Sequence, residues 1–65
     1  METFLCEVDI DNFTLTTTDG MIYRVNASDM TICCCWWATS RIKIFTSGNQ
    51  LYCANLSLDS TVRLV

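Results

Sequence analysis

Arg41-Ile42-Lys43-Ile44-Phe45-Thr46-Ser47-Gly48-Asn49-Gln50-Leu51-Tyr52-Cys53-Ala54-Asn55 is the most informative segment of the chain. Branched and aromatic residues alternate with polar ones on both sides of Gly48-Asn49, as in two half-buried strands joined by a tight turn. With that dipeptide as the turn, Ile44 lies opposite Cys53 and Thr46 opposite Leu51 on one face. Phe45 then lies opposite Tyr52, and Lys43 opposite Ala54, on the other. A slip of one residue would send every side chain to the wrong face, so the pattern specifies the register.

Upstream, Met30–Trp37 reads as the longest strand, connected to this hairpin through Ala38-Thr39-Ser40. A three-residue loop there pairs Trp36 with Ile42, Cys34 with Ile44 and Ile32 with Thr46 on the core side. It pairs Trp37 with Arg41, Cys35 with Lys43 and Cys33 with Phe45 on the outer side. The predicted core is therefore Ile32, Cys34, Trp36, Ile42, Ile44, Leu51 and Cys53.

Nearer the start, Asn12–Thr17 and Met21–Val25 flank Thr18-Asp19-Gly20. A two-residue Asp-Gly turn would mix polar and apolar faces. A three-residue loop with Gly20 in the left-handed bulge position sets Phe13 opposite Val25 and Leu15 opposite Tyr23, and is preferred. Phe4–Ile10 alternates Phe4, Cys6, Val8 and Ile10 against Thr3, Leu5, Glu7 and Asp9. Asn26-Ala27-Ser28-Asp29 reads as a turn, Ser57–Ser60 as a loop or single helical turn, and Thr61–Val65 as the last strand. Helical periodicity nowhere lasts for ten residues. The fold class is all-β. The expected architecture is one domain, residues 1–65, a small antiparallel meander of five to seven strands closing into an SH3-like or similar barrel. An open sheet of this size would leave one face unburied.

Composition removes whole classes of function. The chain has no histidine, no proline and two glycines. Ser-His-Asp and Cys-His pairs, histidine metal sites and glycine-rich phosphate loops are therefore absent from its repertoire, and an enzyme is not expected. Charged residues make up 17% of the chain, against about 25% in an average domain, so its surface is poor in charge. Four basic against seven acidic residues give a net charge of −3, with no long-range attraction for nucleic acid or anionic membrane. No apolar run is long enough for a membrane span. The opening residues Met1–Glu7 lack the basic and apolar segments of a secretory signal, so a cytoplasmic protein is expected. Cys6, Cys33, Cys34, Cys35 and Cys53 are odd in number and three are consecutive. They read as reduced, with no metal and no cofactor, Cys34 facing opposite to Cys33 and Cys35.

The candidate site is the outer face of these strands: Trp37, Phe45 and Tyr52 with Arg41 and Lys43, Arg41 stacking on the Trp37 indole. Aromatics interleaved with cations are the composition of protein-interface hot spots. They are also the parts of a platform for single-stranded nucleic acid. The acidic net charge favours the first. Glu7, Asp9 and Asp11, and Thr14, Thr16 and Thr18, read as solvated strand faces. The expected function is a small non-catalytic module binding another protein, with a homo-oligomer contact through the same face. Its size and acidity also suit an anti-CRISPR-like inhibitor, carried by a phage or mobile element, that blocks a host complex. A single-stranded nucleic-acid-binding barrel is the alternative.

Overall fold

Both hairpins form in the expected register. In a computed structural model describing residues 2–65, β4 (Arg41–Ser47) and β5 (Gln50–Asn55) pair with Ile44 opposite Cys53, Phe45 opposite Tyr52 and Thr46 opposite Leu51. Gly48 has φ +63°, as the first central residue of a type II′ turn requires. β2 (Thr14–Thr17) and β3 (Ile22–Arg24) set Leu15 opposite Tyr23. The Thr17 N–H donates to Met21 O (2.9 Å) and the Gly20 N–H to Thr17 O (3.0 Å), with Gly20 at φ +89°. That is the three-residue loop with a glycine bulge. β6 (Ser60–Leu64) adds to β5, Val62 facing Cys53.

The expected strand Met30–Trp37 does not form. Asn26 Oδ1 accepts the Ser28 N–H (3.0 Å) and starts a 3-10 turn, Ala27–Asp29, that runs into a one-turn helix, α1 (Met30–Cys33). Met30, Cys33 and Trp36 are buried, a spacing of three that belongs to a helical face rather than a strand. Ile32 is 41% exposed and Cys34 is exposed, so neither joins the core. Trp36 does, from the loop after α1, while Trp37 points to solvent. The cap hydrogen bond breaks the local tie in a continuous apolar run, which periodicity alone cannot assign.

The place beside β4 belongs instead to β1 (Glu2–Asp9), with Glu2 opposite Lys43, Thr3 opposite Ile42 and Phe4 opposite Arg41. β1 then turns from β4 to β2, pairing Leu5 with Thr17 and Glu7 with Thr16. Cys6 is the extra residue of a bulge, and it shifts the phase. Leu5 and, three residues on, Val8 both pack toward the core, which the simple alternation separated.

The result is one six-stranded antiparallel sheet in the order β3-β2-β1-β4-β5-β6. It curls around Leu5, Leu15, Val25, Met30, Cys33, Trp36, Ile42, Ile44, Cys53, Val62 and Leu64, with Leu51 partly buried against them. The sheet does not close into a barrel. Its edges meet at one bridge, Val25 to Leu64, where the Asn26 N–H donates to Arg63 O (2.9 Å) and the Val65 N–H to Arg24 O (2.7 Å).

Asp29 reinforces this seam. Its carboxylate accepts the Arg63 main-chain N–H at 2.8 Å and pairs with Arg63 Nε at 3.3 Å. The main-chain bond, above all, holds the Asp29 carboxyl below its ordinary value of 3.8. A depressed carboxyl stabilises the fold fully above that ordinary value, and the contribution is lost as pH falls through the lower, folded one. Asp29→Asn should therefore be less stable than wild type near neutrality and lose less on acidification. Thermal melts between about pH 6 and pH 2 check this; parallel slopes would refute it.

All five cysteines are free; Cys33 and Cys53 are buried, Cys6, Cys34 and Cys35 exposed. Burial pushes the Cys33 thiol up to about 11 and the Cys53 thiol up to about 12. Cys33 and Cys34 thus exchange their expected places, while Cys35 lies outside and Cys53 inside as expected. Cys33→Ser should cost about 1–3 kcal/mol and Cys34→Ser less than about 0.5. An aromatic disulfide reagent should titrate the three exposed thiols quickly and the buried pair only on unfolding. Rapid reaction of Cys33 would overturn the assignment.

Candidate protein interface

The hairpin places Arg41, Lys43 and Phe45 at alternate positions on the outer side of β4, with Tyr52 directly across from Phe45. The Phe45 and Tyr52 rings stack, with centroids 5.5 Å apart and planes at 19°. Four of the five residues singled out in the sequence therefore share one face. Trp37 is not on that strand face. It lies in the loop before β4, its carbonyl accepting the Ser40 N–H (3.2 Å) and its side chain 67% exposed.

Arg41 does not turn to the Trp37 indole. Its Nε and a terminal nitrogen both reach Glu2 Oε1 at 2.8 Å. The neighbouring strands supply that carboxylate and two further residues that sequence reasoning left out. Phe4, 52% exposed, stands opposite Arg41 on β1. Arg63 stands opposite Tyr52 on β6. Placing either depended on which strand borders the hairpin, and the hairpin itself does not carry that information.

The charges on this face are unequal in availability. The Arg41–Glu2 pair is solvent-exposed and worth about 0–1 kcal/mol, yet it neutralises Arg41 locally. Arg63 is engaged by Asp29, and its guanidinium also donates to Ser28 Oγ (3.2 Å). Lys43 has no ion-pair partner among the described residues. Glu2, Thr3, Phe4 and Arg41 line a shallow depression of about 320 Å³ at the β1 end.

The outer side of β1–β2–β3 is different. Glu7 and Asp9 face out across Thr16 and Thr14, with Ile22 and Arg24 beyond them on β3. Asp11 is not on this strand face; it sits in the β1–β2 turn. Asp9 shapes that turn, accepting the main-chain N–H of Asp11 (3.1 Å) and Asn12 (3.2 Å) and the Asn12 Nδ2 (2.8 Å). Those bonds, the Asn12 side chain first, hold its carboxyl below the ordinary value.

A pre-stacked aromatic pair beside a free ammonium offers contact area and one directed charge. No helix of the described residues is long and apolar enough to cross a membrane. No protein-family model matches the chain, and neither does any curated protein or solved structure.

Proposed function

We propose that this chain is a non-catalytic binding module that holds another protein against the outer face of β4 and β5. The stacked Phe45–Tyr52 pair carries the reading. Its strands already bury their inner side chains in the core, so the rings are rigidly presented and lose little entropy on binding. Tyrosine and arginine beside a central aromatic anchor are the residues that dominate protein interfaces. The curled sheet serves as the frame, which we read as an SH3-like barrel opened along one seam. An inhibitor that occludes a host complex, of the class carried by phages and mobile elements, needs no more than such a face.

Single-stranded nucleic acid is the weaker ligand for this geometry. Bases would find the rings, but phosphates need unneutralised cations. Arg41 and Arg63 are already paired, which leaves Lys43.

The test is capture from lysate of the source cells with wild-type and Tyr52→Ala protein, then calorimetric titration of the recovered polypeptide. Tyr52→Ala should weaken binding by about 2 kcal/mol, roughly thirtyfold, with its fold checked by circular dichroism. Asp59→Asn, in the β5–β6 turn, should bind as wild type. A partner indifferent to Tyr52→Ala sinks the reading. So does salt-dependent binding of a single-stranded oligonucleotide that Lys43→Glu abolishes.

A further inference from the structure

We infer that one occupant of the β4–β5 face is a second copy of this chain, seated head to tail. The acidic outer face of β1–β2–β3 in one copy meets the basic face of the next. This rests on the reading that the β4–β5 face binds protein, and names the protein.

The charge distribution carries it. Three of the four basic residues, Arg41, Lys43 and Arg63, lie on the outer side of β4 and β6. With Glu2 and Asp29 beside them, that strand face keeps one positive charge, on Lys43; Asp59 in the β5–β6 turn makes this half of the chain neutral overall, against a net −3 for the other half. The β1–β2–β3 side holds Glu7 and Asp9 on its strand face and Asp11 and Asp19 in its turns, against Arg24 alone. None of those four carboxylates enters an ion pair among the described residues. A chain that is acidic overall is thus dipolar, with one end able to steer the other.

Each face also exposes apolar surface within its charged frame. Phe4, 52% exposed, does so on the basic side beside the half-buried ring pair, and Ile22, 67% exposed, on the acidic side. A two-fold contact of the basic face with itself would bury the rings but offer Lys43 only Glu2 and Asp29, which Arg41 and Arg63 already hold. The head-to-tail contact buries both apolar surfaces and matches the charges. It does not close on itself, so it adds copies in series.

Size limits the strength. The molecule measures 28 × 25 × 22 Å, so its broadest face spans about 700 Å², under the ~800 Å² per copy of a standard interface. The assembly is therefore weak, concentration-dependent and salt-sensitive.

Sedimentation velocity at about 0.05–1 mM protein, in about 0.02 M and about 0.5 M salt, tests it. Wild type should form dimers and larger species at low salt and return to monomer at high salt. Lys43→Glu and Glu7→Lys, each altering one exposed side chain on a different face, should each weaken association about tenfold or more. Mixed in equal amounts, the two variants should associate again, because each keeps the face its partner lacks and the two reversed charges oppose each other. A wild type that stays monomeric at low salt overturns the inference. So does Lys43→Glu assembling as well as wild type, or a mixture no better than its components. If the inference alone fails, Tyr52→Ala still loses the captured partner; if that partner is also indifferent, the reading beneath it fails too.

Discussion

Leu5→Ala should leave this chain largely unfolded at room temperature, while Phe4→Ala, one residue earlier, should cost less than about 1 kcal/mol. Leu5 is fully buried and Phe4 is half exposed. Leu5 also stands where β1 passes from β4 to β2. Its N–H donates to Ser40 O (2.8 Å), its carbonyl accepts the Thr39 N–H (2.6 Å), and it faces Thr17 across the strand pair. Removing the isobutyl group opens a cavity between two half-sheets that no neighbouring element is free to fill, and such cavities cost about 3–5 kcal/mol. A domain of this length has a total stability of about 3–10 kcal/mol, so the loss rivals the whole. Urea titration followed by far-UV circular dichroism measures both variants. A Leu5→Ala loss below about 2 kcal/mol would show that the site can collapse.

The second large effect separates the two adjacent tryptophans. Trp36→Ala should cost about 3–5 kcal/mol, because its indole is 6% exposed and packs against the core. Trp37→Ala should stay within about 0.5 kcal/mol. Each variant keeps one indole, so emission spectra report the environments directly. The Trp37→Ala protein should emit as a buried indole, and any folded Trp36→Ala protein as a solvated one. Equal stabilities, or spectra in the reverse order, would refute the placement of this loop.

What could be read from the residues alone was whatever a short turn determines. Gly48-Asn49 and Gly20 set the phase of their hairpins locally, and the pairs Phe45 with Tyr52 and Leu15 with Tyr23 are present; Phe13, at φ +55°, falls outside β2 and meets Val25 through one main-chain hydrogen bond. The face of Arg41, Lys43, Phe45 and Tyr52 was legible for that reason. Trp37 was assigned to it through a strand that is not there. Asn26, Ser28 and Asp29 mark a helix start, and Met30, Cys33 and Trp36 recur every third residue. Both signals were present in the sequence but lost to an apolar run that also suits a buried strand. The phase of β1 was hidden differently. A bulge at Cys6 has no residue signature, and pairing with β4 is a choice among distant partners that no local pattern encodes.

The position of β1 in the sheet has a consequence for the order in which the molecule assembles. The first strand along the chain is also an inner one, flanked by its immediate successor and by β4. β1–β2–β3 and β4–β5–β6 are each consecutive antiparallel neighbours, so each can zip from its own turns with little loss of chain entropy. Joining Glu2 to Lys43 instead closes a loop of about forty residues, at a cost of about 3 kcal/mol before any contact offsets it. That joining is the step expected to limit the rate of folding. On a ribosome, the flank of β1 that carries Glu2 and Phe4 emerges well before Arg41 and Lys43 and stays bare until they follow.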